Sequence, residues 1–266
     1  MQELTLILPG MVASGILAGT LGGLLGIGGG IVLMPILRFF VGLSPSFAAG
    51  TCIMAVFFTT FGGSYRHYKL GHVNIRSIIP IIIAGVLTTI VFSLIFLYFT
   101  KRGRWLDLGM GLVFSLVSIR MIMEGLPIFS EKKVKEIGGS EIRGSLLQKC
   151  AIGGASGILP GLLGIGTGAI LVPAFTFILR APIKIAMGSS LACFAINAFL
   201  SSIFKFSQGF INIEVALPIC LGAIVGANIG TILNKRFPSP VLKLMFGIIF
   251  SYVSIKFILS FLEIKI

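Results

Sequence analysis

Charged side chains are scarce in this sequence. Asp, Glu, Lys and Arg make up 11% of its 266 residues, whereas 56% of the residues are hydrophobic. An ordinary soluble domain carries about 25% charged residues, and the mean hydropathy of +1.08 is strongly apolar. Because so few polar side chains could not solvate the surface of a folded chain, the composition excludes a soluble globular protein.

Acidic residues are rarer still, with 8 Asp and Glu against 21 Lys and Arg. All of them fall in predicted loops or at predicted helix ends: Glu3, Asp107, Glu124, Glu131, Glu136, Glu141, Glu214 and Glu263. A cation carrier or a proton pump built on a buried carboxylate would need one at membrane depth. The 2 His residues offer no His pair or His–carboxylate pair at that depth, which disfavours an enzyme.

Paired cysteines are also missing. Cys52, Cys150, Cys193 and Cys220 form no C-x-x-C motif and lie in apolar stretches or at their edges. This pattern predicts neither a disulfide framework nor a zinc site. We therefore expect no metal and no cofactor.

Glycine and positive charge are abundant instead. The 35 glycines are about 13% of the chain, roughly twice the usual share of about 7%. In a membrane protein such a surplus indicates close helix packing or broken helices. The net charge of +13 is typical of cytoplasmic loops that obey the positive-inside rule. The expected partner is therefore a lipid bilayer, and no nucleic acid is expected.

Apolar segments separated by short polar patches predict an all-α polytopic membrane protein. Most segments approach the roughly 20 residues that a span requires, whereas two that follow glycine clusters are too short. The predicted segments are 4–25, 31–41, 46–61, 75–99, 105–123, 146–163, 169–179, 183–206, 215–233 and 241–262.

The second half of the chain repeats the first. Residues 24–35, LLGIGGGIVLMP, match residues 162–173, LLGIGTGAILVP, at an offset that also pairs Asn74 with Asn212 and Pro80 with Pro218. This predicts a first transmembrane repeat over 1–125, a linker over 126–145 and a second repeat over 146–266. If each glycine cluster joins a long and a short segment as a hairpin, each repeat changes sides an odd number of times. The two repeats of about five segments are then inverted relative to each other.

The basic residues predict the orientation. Thirteen of them fall on one side, in the loops 66–76, 132–149, 180–184 and 235–243, and six on the other: Arg38, Lys101, Arg102, Arg104, Lys205 and Lys265. The richer side should be cytoplasmic. We expect a multi-pass protein of the cell (inner) membrane with both termini outside and the central linker in the cytoplasm.

The paired signatures GIGGGIVLMP at 26–35 and GIGTG at 164–168 are each followed by a Gly-Thr/Ser-Cys/Ser segment. Through these signatures the sequence resembles the TauE/SafE sulfite exporter family, also known as the sulfonate uptake permeases. The resemblance covers essentially the whole chain. The resemblance implies a transporter of a small sulfur-containing anion of the sulfite, sulfonate or sulfoacetate type.

The candidate substrate-binding residues lie at the glycine clusters and just beyond them. Each cluster places the N-terminus of a helix at membrane depth, where free N–H groups attract an anion, and hydroxyls can donate to the same anion. The candidates are Gly26, Gly28, Gly29, Gly30, Thr51, Cys52, Gly164, Gly166, Thr167, Gly168, Ser189, Ser190 and Asn197.

Purely structural interpretations stand beside these assignments. The glycines could serve helix packing alone, which is the preferred interpretation for Gly222, Gly226 and Gly230. The hydroxyls could bond the carbonyl one turn earlier, and Asn197 could join two helices.

Four basic residues form two equivalent pairs in the two halves. Arg120 and Lys256 match each other in the last helix of each half and should extend from near a helix end to the headgroups. His67 and Lys205 are also equivalent and are expected at the mouth of a loop.

Two functions remain open at this stage. The first is a secondary transporter that works by alternating access between inverted repeats. The alternative is a passive anion channel or pore, since broken-helix hairpins also build selectivity filters. A coupling ion (proton or sodium) and a homo-oligomer are compatible with the sequence.

Overall fold

The computed structural model describes residues 2–126, 142, 144–233 and 239–263. In these residues the chain forms helices joined by short loops, which confirms the predicted all-α polytopic fold. Seven of the helices are long and apolar enough to cross a membrane, and shorter apolar helices cover Leu8–Leu24 and Gly30–Phe40.

The helices of the first half are α1 (Gln2–Leu25), α2 (Gly30–Pro35, continued by a π-helical turn over Ile36–Phe40), α3 (Pro45–Lys69), α4 (Ile75–Thr100) and α5 (Gly103–Gly125). Those of the second half are α6 (Leu146–Ile158, continued by a π-helical turn over Leu159–Leu163), α7 (Gly168–Pro173, continued by Ala174–Ile178), α8 (Ile183–Ser207), α9 (Ile213–Leu233) and α10 (Ser239–Phe261).

Most predicted segment ends lie within two residues of the observed ones, but the end of α3 was wrong. The sequence predicted an end near Phe61, and the helix continues to Lys69. The Gly62–Gly63 pair lies inside the helix, where Gly63 faces the side chain of Leu191 on α8. The helix ends two residues before Gly71, whose φ of 71° lies in the left-handed region that favours glycine.

The packing partners of one half recur in the other. Helix α1 packs along α9, and their repeat equivalents α6 and α4 pack along each other. A Cβ on Gly15 of α1 would overlap the carbonyl oxygen of Ile219, and a Cβ on Gly153 of α6 would overlap that of Ile81. These two contacts are related by the sequence offset. A helix backbone therefore packs closely against a neighbouring helix at equivalent positions in both halves.

The glycine stripe on α9 packs against α1, as predicted. Added Cβ atoms on its three glycines would overlap carbonyl oxygens of α1; the contacts are Gly222 with Val12, Gly226 with Ile16 and Gly230 with Thr20. Small residues at this spacing allow the two backbones to approach closely.

Helices α3 and α8 form the centre of the molecule. They pack against each other, and each also packs against a helix of the other half, α9 for α3 and α4 for α8. By contrast, α4 exposes a row of apolar side chains that includes Ile83, Leu87, Val91 and Leu94. Such a face is suited to contact with lipid tails. The central pair is more buried than α4, although α8 also exposes Ile196, Phe199 and Ile203, and it lies beside both glycine clusters.

Candidate functional site

The two glycine clusters contact each other in the interior. We call residues 26–29 loop 1 and residues 164–167 loop 2. A Cβ on Gly166 would lie 2.6 Å from the carbonyl oxygen of Ile27, and one on Gly30 would lie 2.9 Å from the amide nitrogen of Gly166. Both loops are buried throughout. Non-helical backbone at membrane depth is tolerated only where protein or a water-filled cavity covers it, and here each loop helps to cover the other.

The loops share a sequence pattern but differ in conformation. Each begins with a glycine of positive φ, 70° at Gly26 and 67° at Gly164. Loop 1 continues with positive φ at Gly28 (81°) and Gly29 (73°). The residue equivalent to Gly29 is Thr167, whose φ is −94°. Loop 2 therefore accommodates a side chain with a hydroxyl where loop 1 requires glycine.

Several N–H groups of the loops have no acceptor among the described residues. In loop 1 the amides of Ile27 and Gly28 donate to the carbonyl of Gly22, at 3.1 and 3.4 Å. In the described part of the chain, no acceptor is present for the N–H groups that follow, those of Gly29 and Gly30, or for those of Gly166, Thr167 and Gly168 in the other loop. These groups precede or begin α2 and α7, where a helix leaves its first N–H groups unpaired.

The walls of the site come from α3 and α8. Thr59 of α3 donates to the carbonyl of Gly28 at 2.7 Å. The ring of Phe194 on α8 faces both loops, since a Cβ on Gly28 would lie 2.7 Å from it and one on Gly166 would lie 3.2 Å away. Phe194 was not among the residues predicted from the sequence. The signal for it was its position one helical turn after Ser190, on the same face of α8.

Four of the predicted hydroxyl and thiol residues are buried on α3 and α8, and three of these have partners. Thr51 accepts a hydrogen bond from the amide of Asn212 at 3.1 Å. The Sγ of Cys52 lies 3.5 Å from the carbonyl oxygen of Gly30. Ser190 donates to the carbonyl of Met187, three residues earlier, at 3.0 Å. All three contacts are made within the protein.

Two other hydroxyls have no partner in the described structure. The Oγ of Ser189 and the Oγ1 of Thr167 are both buried, and each residue is 0% exposed. A buried hydroxyl without a hydrogen bond costs about 1–3 kcal/mol. Such groups suggest a ligand that supplies the missing bond.

Asn197 lies at the junction of α4, α6 and α8. Its Nδ2 is 3.3 Å from the Oγ of Ser156 on α6, and a Cβ on Gly85 of α4 would be 2.7 Å from the same nitrogen. Its Oδ1 has no partner among the described residues. These contacts correspond to the helix-joining interpretation of this amide.

The matched cations of the last helices lie apart from the loops. Arg120 forms an ion pair with Glu124 one turn later on α5. The Nζ of Lys256 lies 5.6 Å from the ring centroid of Phe39 and 5.7 Å from that of Tyr252. Arg120 and Lys256 are both partly exposed.

Lys205 was expected at the mouth of a loop, and the structure adds that its side chain is buried. It lies in the last turn of α8 and is 0% exposed. Its equivalent, His67, also lies inside a helix, α3, and is 9% exposed, with its Nδ1 3.4 Å from that of His72. The predicted segments ended before His67 and just after Lys205, and hydropathy registers a basic side chain as polar. It therefore could not show that the neighbouring helices cover both residues.

Metal-binding clusters are absent from the residues that the structure describes: no group of three or more His, Cys, Asp or Glu side chains could hold an ion there. The donors named at the two loops are neutral N–H groups and hydroxyls. Neutral donors can bind an anion through dipoles and release it again.

Comparisons with known proteins identify relatives of almost the whole chain. A family model described as sulfite exporter TauE/SafE matches residues 11–257. A probable membrane transporter protein of Xylella fastidiosa is 30% identical over 92% of this chain and 92% of its own length. The probable membrane transporter protein YunE of Bacillus subtilis is 25% identical, covering 90% of this chain and 93% of that protein. No solved structure matches the chain significantly.

Proposed function

Because this chain belongs to the sulfite exporter TauE/SafE family of membrane transporters, we propose that it is a secondary transporter of a small sulfur-containing anion. Sulfite, sulfonates and sulfoacetate are the class of substrate that the family description suggests. The site is the contact between loop 1 and loop 2, and the chain has no catalytic role.

The observation that carries this proposal is the meeting of unpaired donors at the two loops. Free N–H groups of Gly29 and Gly30 and of Gly166 and Gly168 lie in the same buried region. The N-termini of α2 and α7 add positive dipole ends. The hydroxyls of Thr167 and Ser189 complete a set of donors that suits an oxyanion.

Inverted repeats would give this site two alternating openings. In support, the α1–α9 contact and the α6–α4 contact are related by the repeat offset. Loops 1 and 2, which are equivalent in sequence, face each other between the halves. A rocking motion of one half against the other would expose the shared contact first to one side of the membrane and then to the other.

Sulfite uptake into proteoliposomes tests the proposal. Purified protein should accumulate radiolabelled sulfite above the outside concentration when a proton or sodium gradient is imposed, and each gradient alone identifies the coupling ion. A passive channel only dissipates gradients, so uptake that stops at equal concentrations would replace the transporter with a channel. The Gly166→Ala variant is the matched control, because its Cβ would meet the carbonyl oxygen of Ile27 at 2.6 Å and disturb the loop contact.

The proposed orientation has a separate test. The central linker, residues 126–145, should be cytoplasmic and both termini outside. Most of this linker lies outside the described residues. A cysteine introduced at Ser140, on a background without the four native cysteines, should react with an impermeant thiol reagent only in opened cells. Reaction in intact cells would reverse the orientation.

A further inference from the structure

Lys205 is a buried cation that the proposed loop site does not use. The residue is 0% exposed in the last turn of α8. Its Nζ donates to the carbonyl of Gly161 at 2.7 Å and lies 3.8 Å from the ring centroid of Phe96 on α4. In the ranges for which side chains are described, no carboxylate lies within ion-pair distance of it.

One carbonyl and one aromatic ring compensate a buried ammonium only in part. Removing a charged group from water costs several kcal/mol unless an opposite charge and hydrogen bonds offset the loss. An ammonium has three donors, and the structure shows an acceptor for one of them. An ionisable side chain inside a membrane protein commonly marks a substrate pathway.

Polar groups from two helices converge around Lys205. Gln208, one turn further along the chain, donates from Nε2 to the carbonyl of Ser93 on α4 at 3.0 Å. Ser93 and Phe96 are three residues apart on α4 and therefore share a face. The Oγ of Ser93 is buried, and it has no hydrogen-bond partner in the described coordinates. A cation and a free hydroxyl thus lie in the same wall between α4 and α8.

A structural role also exists for Lys205. The π-helical turn at the end of α6 has carbonyls that face α8, and Ser201 donates to that of Pro160 at 2.6 Å. Lys205 makes the corresponding bond to Gly161. Ser201 performs this function with a neutral hydroxyl, so bonding these carbonyls does not require a buried charge.

We propose that Lys205 and Ser93 form a second anion-binding position between α4, α6 and α8. This inference rests on the proposed function and adds a charge-based position to the dipole-based site at the loops. Gly161, which Lys205 contacts, precedes loop 2 by three residues. An anion at Lys205 would therefore lie next to the segment that leads into the loop contact.

Three variants separate the charge from the carbonyl contact. Lys205→Gln keeps a donor for Gly161 but removes the charge, and Lys205→Arg keeps the charge. Ser201→Ala removes the neighbouring carbonyl bond and leaves the charge unchanged, so it is the matched control. The measurement is sulfite binding to the detergent-purified full chain by calorimetry at low salt. Thermal unfolding confirms that each variant is folded.

The expected result is an affinity loss of at least about tenfold for Lys205→Gln, with Ser201→Ala and Lys205→Arg near the wild type; tenfold equals about 1.4 kcal/mol. Ser93→Ala should lose affinity by a smaller factor. If Lys205→Gln and Ser201→Ala had the same sulfite affinity, the inference would be overturned and the role of Lys205 would be structural. Sulfite transport by the wild type would still stand in that case. If the wild type neither binds nor transports sulfite or methanesulfonate, the proposed function fails first and this inference with it.

Discussion

The two glycine loops occupy equivalent positions in the two halves, and they are built differently. Loop 1 follows a regular helix and needs glycine at Gly28 and Gly29, where φ is positive. Loop 2 follows a π-helical turn and has Thr167 in place of Gly29, with φ at −94°. The halves therefore share a frame of closely packed helices, while the second half has the additional polar side chains.

The same difference extends along α3 and α8. Thr51 has an amide partner, whereas its equivalent Ser189 has none in the part of the chain described here. His67 is replaced by the buried cation Lys205, and Gly63 by Ser201. The comparison suggests that packing constrains both halves alike and that binding donors are concentrated in the second.

Exchanging the residues that differ between the loops should have unequal effects. Gly29→Thr puts a β-branched residue at a φ of 73° and its Cβ 2.6 Å from the carbonyl oxygen of Ala18. The backbone strain alone costs about 1–3 kcal/mol, and the overlap adds to it. Thr167→Gly introduces neither problem. In one detergent, the melting temperature should fall strongly for Gly29→Thr and little for Thr167→Gly; equal losses would show that the loops have the same requirements.

The helix frame should respond alike in both halves. Gly19→Ala and Gly157→Ala occupy equivalent positions, and their Cβ atoms would overlap the carbonyl oxygens of Ala223 and Gly85. Overpacking of this kind costs about 1–3 kcal/mol. Gly62→Ala is the control, because its Cβ would have no atom within 4 Å.

Melting temperatures of the purified proteins measure these effects. Both interface variants should melt well below the wild type, and the control should melt at or above it, because alanine favours a helix by about 0.5–1 kcal/mol over glycine. If only one of the two interface variants melted below the wild type, the two halves would not share the same helix packing.

The equivalent hydroxyls should separate binding from stability. Ser189→Ala removes a hydroxyl without a described partner and should weaken sulfite binding by about 0.5–1.5 kcal/mol, the usual net value of a hydrogen bond, without lowering the melting temperature. Thr51→Val removes the acceptor for the amide of Asn212 and should chiefly lower the melting temperature. Calorimetry with sulfite and thermal unfolding on the same samples provide both values. If Thr51→Val weakened sulfite binding and Ser189→Ala only lowered the melting temperature, the binding donors would lie in the first half.

The smallest effects are expected at the cations of the last helices. Arg120 pairs with Glu124, and Lys256 lies between Phe39 and Tyr252, so both are occupied away from the loops. Arg120→Gln and Lys256→Gln should change sulfite affinity within about 0.5 kcal/mol. If either variant loses more affinity than Ser189→Ala, a cation of the last helices contributes to binding and the account of the loops is incomplete.

Hydropathy and the internal repeat were sufficient to predict the helices, except for the end of α3. The glycine signatures marked the breaks before α2 and α7 because both precede segments too short to span. The repeat offset paired Thr51 with Ser189, but it could not show which hydroxyl has a partner. That depends on the amide of Asn212, which the fold brings to Thr51 from a position 161 residues further along the chain.

Burial of polar residues was the part that the sequence could not supply. Lys205 was expected at the mouth of a loop because it lies one residue before the end of the predicted segment 183–206. Its burial depends on Phe96 and Gly161, which belong to two other helices. Phe194 was overlooked for a related reason, since an aromatic residue in a membrane helix is ordinarily a lipid or core contact.

The central claim is that an oxyanion binds where loop 1 meets loop 2. Crystals soaked in selenite, the heavier analogue of sulfite, would locate the anion by the anomalous scattering of selenium. The account predicts a peak within hydrogen-bonding distance of the Thr167 hydroxyl and of the free N–H groups that begin α2 and α7. Selenium bound elsewhere, with no peak between the two loops, would contradict it.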